Sequence, residues 1–273
     1  MEFLVTLPAY IIVFIFGASV GSFLNVVIYR VPAGLSILYP PSRCPQCYTS
    51  LKLSENIPIF GWVWLKGRCK HCHAPIAKRY PIVEAVTGCL FLLVFCISNN
   101  GIEIWGYWAL LSWLLALSLI DLDTLTLPNP LTQSGLVAGL CFQLLKGSQF
   151  TLNFSQISHH LMFGIVGAVV GLWLVDAIAL MGSISLGQTA MGAGDSKLAA
   201  MMGAWLGWKY LLLAGFIACG VGAIVGGGAI ALGWLDRRQP MAFGPFLALG
   251  AAISALWGEA ILGAYFNLFF PLN

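Results

Sequence analysis

Apolar residues in this chain do not alternate with polar ones or recur on one helical face. They run, in stretches of about twenty residues separated by short polar breaks, and this is the pattern of membrane-spanning helices. Eight such stretches are expected, near 8–29, 81–98, 103–120, 131–146, 161–181, 197–208, 210–234 and 243–267. The fourth and sixth are shorter than a full span requires. The first run follows a single acid, Glu2, with no basic segment before it, and reads as a retained helix and not a cleaved signal peptide. One interval departs from the pattern. Residues 30–80 are polar, basic and soluble-looking, so the expected organisation is a first transmembrane helix (1–29), a loop domain (30–80) and a membrane-embedded domain of seven helices (81–273).

Composition agrees with the pattern. Hydrophobic residues make up 59% of the 273 and charged residues only 8%, against roughly a quarter charged in an ordinary soluble chain. The fold class is an all-α polytopic membrane protein with a small zinc-ribbon-like loop domain. Nothing suggests a nucleic-acid partner.

The placement of charge gives the orientation. Arg30, Arg43, Lys52, Lys66, Arg68, Lys70, Lys78 and Arg79 all fall in the loop domain, opposed by one acid, Glu55. Basic residues mark cytoplasmic loops, so this loop is expected inside and the N-terminus outside, in the periplasm. With eight spans, Lys197, Arg237 and Arg238 also fall inside, and only Lys146 and Lys209 outside. The basic loop should favour anionic lipid headgroups, by about 1 kcal/mol per cation near the surface.

Within the loop lie "CPQC" (Cys44, Cys47) and "CKHC" (Cys69, Cys72). Each C-x-x-C turn offers two thiolates to one ion, and two turns close a tetrahedron around zinc. In a reducing compartment metal is favoured over disulfides. A closed four-thiolate site is structural, because catalytic zinc keeps an open position. His71 and His73 lie alongside but are not needed as ligands. Cys89, Cys96, Cys141 and Cys219 fall within apolar spans and read as small packing residues.

Only ten acids occur in the chain. Those at membrane depth carry a burial cost and are functional candidates. Asp121 and Asp123 end the third span. Asp195, in "MGAGDSK", precedes the sixth, and the topology brings all three to the cytoplasmic face. Gly192 and Gly194 leave Asp195 on a turn free of side-chain bulk. Two facing carboxylates can share a proton, one serving as general base on water and the other as general acid, which is aspartic-peptidase chemistry. Interfacial capping is the alternative role for these acids. Asp176 and Glu259 read as solvated or locally paired, and His159 and His160 as periplasmic loop residues. An ion-coupled transporter would need acids near the midplane. A zinc-containing assembly factor of a pilus or secretion system would need no aspartate pair.

Five segments in order resemble the type IV prepilin leader peptidases, of the GxGD aspartic peptidase class. They are "GASVGSFLNVVIYRVP" (17–32), the two C-x-x-C pairs followed by "KRYPIVEAVTGCLF" (78–91), "LIDLDTLTLPNPLT" (119–132), "MGAGDSKLAAMMGAWLGW" (191–208) and "AFGPFLALGA" (242–251). The resemblance implies a bacterial inner-membrane endopeptidase that cuts the short basic leader from type IV prepilins or type II secretion pseudopilins at the cytoplasmic face. It also implies N-methylation of the new terminus with S-adenosylmethionine as methyl donor. The family's first catalytic aspartate stands seven residues before a proline and maps onto Asp121, with Asp123 as the alternative. The second maps onto Asp195, with Gly192, Gly194 and Lys197 as support. Glu84 matches a family glutamate, implying a structural or methyl-transfer role. It could equally serve as a buried partner of Lys78 or Arg79. Asn129 stands where the family commonly has aspartate.

Overall fold

In the computed structural model, residues 2–98, 100–148, 154–186, 192–234 and 241–270 are described. Arg237 and Arg238, counted above as cytoplasmic, lie outside them. Every long element is a helix. In chain order these are α1 (Glu2–Arg30), a short α2 (Phe60–Trp64), α3 (Arg79–Ile97), α4 (Gly101–Thr124), α5 (Asn129–Gly147), α6 (Phe154–Leu186), α7 (Ala193–Ala231) and α8 (Gly244–Phe269). Six of them are long and apolar enough to cross a membrane: α1, α3, α4, α6, α7 and α8. The chain forms two compact units, residues 1–112 and 113–273.

In the first unit α1 packs on α3 at close range. A Cβ on Gly21 would stand 2.8 Å from the Glu84 Cα, the small-residue contact that membrane helices use in place of a hydrophobic driving force. An aromatic cluster follows. Phe91 stacks on Trp108 at 4.8 Å between ring centres, and the Trp108 indole donates to the Phe91 carbonyl at 2.9 Å. The segment between α1 and α3 has almost no apolar core of its own and is organised around its cysteines.

In the second unit, α7 would be about 58 Å long if straight, at 1.5 Å per residue. It is not straight. Gly207 has φ 71° and ψ 171°, a combination open essentially to glycine. The neighbours on either side show the chain reversing there. Going up the first half, Gly171 faces Ala199, Gly167 faces Gly203 and Gly207 faces Phe163. Going down the second, Gly258 faces Tyr210, Gly250 faces Ala214 and Gly222 faces Phe243. So 193–206 and 208–231 form a helical hairpin, and the eight expected stretches correspond to eight helical segments once α7 is divided. The first half explains its own brevity: it is a core helix, with every residue from Leu198 to Leu206 buried.

The break orphans carbonyls at the end of the first half. Gln143, on α5, meets them. Its amide donates to the Trp205 carbonyl at 2.9 Å and to the Ala204 carbonyl at 3.4 Å. The Trp205 indole in turn donates to the Gly135 carbonyl at 2.8 Å. A buried glutamine in an apolar helix is thus the partner of a helix end 61 residues away.

Two smaller readings change. Cys89, Cys96, Cys141 and Cys219 are exposed on the outer faces of their helices and do not fill the core. His159 and His160 lie in the opening turns of α6, which starts earlier than expected, and not in a loop.

Candidate active site and metal centre

The residues around Asp121 come from three places in the second unit. Asp121 sits one turn from the end of α4, 5% exposed. Asp195 lies in the first turn of α7, 8% exposed. The two carboxylates are close enough to act on each other electrostatically. Each also takes a hydrogen bond from a glycine backbone. The Gly244 N–H, at the start of α8, donates to Asp121 Oδ2 at 2.9 Å, and the Gly192 N–H donates to the Asp195 carboxylate. Asp123, two residues on, turns to the other side of the helix and is exposed.

The segments holding the pair are tied together. Gly194 packs on Leu127, where a Cβ would come within 3.0 Å. Lys197 Nζ donates to Asn129 Oδ1 at 2.7 Å, joining the start of α7 to the start of α5. Asp121, Asp195, Gly192, Gly194 and Lys197 therefore converge at one end of the helices, and Gly207 lies at the other. Gly244 was not anticipated. Its role is carried by a backbone N–H, which leaves no side-chain signature.

Glu84 belongs to the first unit. It is buried on α3 and accepts the Ile59 backbone N–H at 2.7 Å, together with a side-chain hydrogen bond from Ser22.

The four loop cysteines come together as two copies of one local structure. Cys44 N–H donates to the Thr49 carbonyl and Tyr48 N–H to that of Cys44. Cys69 N–H donates to Ala74 and His73 N–H to Cys69 in the same way. Arg43 bridges to Ser50 and Arg68 to Pro75. Tyr48 and His73, each following its second cysteine, share φ 56°. All four Sγ atoms lie within 4.8 Å of one another, with Cys44–Cys72 at 3.8 Å and Cys47–Cys69 at 3.9 Å. A tetrahedron of sulfurs around an ion at roughly 2.3 Å has edges of about 3.8 Å. The cluster is thus shaped to hold a metal ion. Its protons are unevenly held. Hydrogen bonds from the Thr49 side chain and backbone bring the Cys47 thiol down to about 6. The Cys72 and His71 backbones lower Cys69. At Cys72 the Ala74 backbone bond pulls downward, but desolvation and the other three thiols outweigh it and push the group up to about 11. An ion binding all four displaces the proton held there.

The profile of the bacterial peptidase A24 N-terminal domain matches residues 15–98, and that of the type IV leader peptidase family matches residues 108–227. A prepilin leader peptidase/N-methyltransferase of Aeromonas hydrophila is 37% identical over 94% of each chain. That of Pectobacterium carotovorum is 37% identical over 89% of this chain and 91% of its own. That of Stutzerimonas stutzeri is 33% identical over 97% of both. The chain belongs to the type IV leader peptidase family. It is a multi-pass membrane protein, and both aspartates of the candidate site lie inside the leader-peptidase match. The four cysteines and Glu84 lie inside the N-terminal match. No solved structure matches the chain.

Proposed function

We propose that the protein is an aspartic endopeptidase that removes the short basic leader of type IV prepilins or type II secretion pseudopilins, and that it N-methylates the residue so exposed. The observation that carries the peptidase half is the pair of buried carboxylates, each anchored by a glycine N–H, in a segment that leaves backbone room around them. In this reading Asp121 and Asp195 hold one proton between them. The ionised partner draws a proton from water, which attacks the scissile carbonyl. The protonated partner supports the developing oxyanion and then returns a proton to the leaving amine. Gly192 and Gly194 keep the approach to Asp195 open, and Lys197 ties the start of α7 to the start of α5.

Methyl transfer rests on the names of the relatives. S-adenosylmethionine is its donor in this proposal, and Glu84 contributes by holding the 57–61 segment. The ion in the cysteine cluster is zinc, in a structural role. The loop domain 30–80 is then a metal-organised module, and the helices from 81 onward carry the peptidase. The charge distribution supports an inner-membrane protein with a periplasmic N-terminus and the catalytic pair at the cytoplasmic face.

The test is mass spectrometry of a prepilin co-expressed with the wild type and with Asp121→Asn, Asp195→Asn and Asp123→Asn. Shortened, methylated product from the wild type and Asp123→Asn, with intact precursor from the other two, is the expected result. Processing by both Asp121→Asn and Asp195→Asn would refute the site. Loss of cleavage with Asp123→Asn alone would move it.

A further inference from the structure

The cysteine module carries an apolar surface that a soluble domain would not show. In α2, Phe60, Val63 and Trp64 stand at i, i+3 and i+4, so they share one face, and they are 65%, 59% and 78% exposed. Ile57, just before, is also exposed. Cations follow at once. Trp64, Leu65, Lys66, Arg68, Cys69, Lys70 and His73 line an open cleft of about 500 Å³. Lys70 also meets Glu55 at 3.7 Å, which leaves Lys66 and Arg68 as the cations in excess.

The depth of this surface can be read from its hydrogen bonds. α3 has 19 residues, about 28 Å of helix, which only just crosses a hydrocarbon core of about 30 Å. Glu84 lies five residues in from the Arg79 end, about 7 Å along the axis. It is also level with Gly21, well inside the Arg30 end of α1. The Ile59 N–H is held on Glu84 Oε2 at 2.7 Å, and α2 begins at the next residue. α3 has no residues to spare if it is to span, so an element pinned there is held close to the membrane surface. A second apolar stretch is held near the same surface. Arg30 Nη1 donates to the Ser36 carbonyl at 3.0 Å, and Leu38 and Tyr39 beside it are exposed.

We propose that the 57–70 segment is seated in the bilayer. Phe60, Val63 and Trp64 enter the interface, and Lys66 and Arg68 hold the headgroup of an anionic phospholipid in the cleft beside them. Aromatic side chains favour this depth because their rings are apolar while the indole N–H stays near water. The cations match the phosphate in sign. The substrate's basic leader does not match them, so the proposed occupant is lipid and not prepilin. The seating needs only that the chain spans a membrane and stands or falls separately from the catalytic assignment; the choice of lipid over prepilin rests on the proposed substrate.

The experiment uses the full-length, zinc-loaded protein in phosphatidylcholine vesicles, with and without phosphatidylglycerol, in which the acyl chains carry bromine. The chain has ten tryptophans, so the signal of Trp64 is taken as the difference between wild type and Trp64→Phe. That residue is exposed, and retained zinc confirms that the variant is folded. The expected result is loss of the Trp64 signal to acyl-chain bromine, greater with phosphatidylglycerol. The extra loss should vanish in Lys66→Gln/Arg68→Gln. A Trp64 signal quenched by aqueous iodide and untouched by bromine would overturn the seating. Inorganic phosphate reproducing the phosphatidylglycerol effect in phosphatidylcholine vesicles would overturn the lipid as the ligand. A response that arises only when prepilin is added would make the surface a substrate site and overturn the proposal.

Discussion

The Gly244 N–H donates to Asp121 Oδ2 at 2.9 Å, joining residues 123 positions apart in sequence. A Cβ at residue 244 would stand 2.7 Å from that same oxygen, so a side chain there displaces the carboxylate it should hold. Catalysis by paired carboxylates depends on where each oxygen lies, and a displacement of about 1 Å can cost on the order of 100-fold in rate. Gly244→Ala is therefore expected to lower kcat for prepilin cleavage by about 10- to 100-fold, with KM little changed and zinc content unaltered. Steady-state cleavage assays on the purified variant check this, and unchanged kcat would separate Gly244 from the site.

Asp121 and Asp123 illustrate what could be read beforehand. The apolar runs, the two C-x-x-C turns and the arrival of acids at one face are one-dimensional features, and they led to eight helical segments and a four-sulfur cluster. Choosing between the two aspartates needed a face. The surrounding residues are apolar on every side of α4, so periodicity points nowhere, and only the packed structure shows Asp121 buried and Asp123 exposed. Gly244, Gln143 and Ile59 were illegible for another reason. Each acts through, or upon, a backbone group far away in sequence, and backbone groups are common to all residues.

Lys197 and Asn129 tie the start of α7 to the start of α5 through a single hydrogen bond of 2.7 Å. Both are exposed, so the bond contributes little to stability, about 0.2–1 kcal/mol even if made ionic. Its effect should instead fall on the placement of Asp195, two residues before Lys197. Asn129→Asp keeps the acceptor and adds a charge opposite to that of Lys197. It should cleave as the wild type does, while Asn129→Ala should cleave more slowly at unchanged melting temperature. Paired cleavage and thermal-denaturation measurements separate these outcomes, and a matched fall in both for Asn129→Ala would mean a purely structural tie.

The cysteine cluster should be indispensable to its module and dispensable to the chemistry. Structural zinc sites contribute on the order of 10 kcal/mol of binding energy to folding, and this segment has little apolar core to replace it. Cys44→Ser is expected to lose the metal and to unprotect backbone amides between Arg43 and Pro75, as read by metal analysis and hydrogen exchange. Amides of the 193–206 helix should keep their protection. Full zinc occupancy in Cys44→Ser would remove that residue from the ligand set.

The turn at Gly207 places a strained backbone beside two carbonyls that depend on one side chain. Substituting alanine forces a β-carbon into the Phe163 ring and into a backbone region that costs of order 1–3 kcal/mol outside glycine. Gln143→Leu is nearly isosteric but strips the donors from the Ala204 and Trp205 carbonyls. Buried acceptors left unpaired cost about 1–3 kcal/mol. Each variant should melt at lower temperature than the wild type in detergent. The two residues brace the same turn, so the double variant should lose less than the sum of the single losses. Strict additivity in a double-mutant cycle would mean that Gln143 stabilises α5 alone and that the hairpin turn does not rely on it.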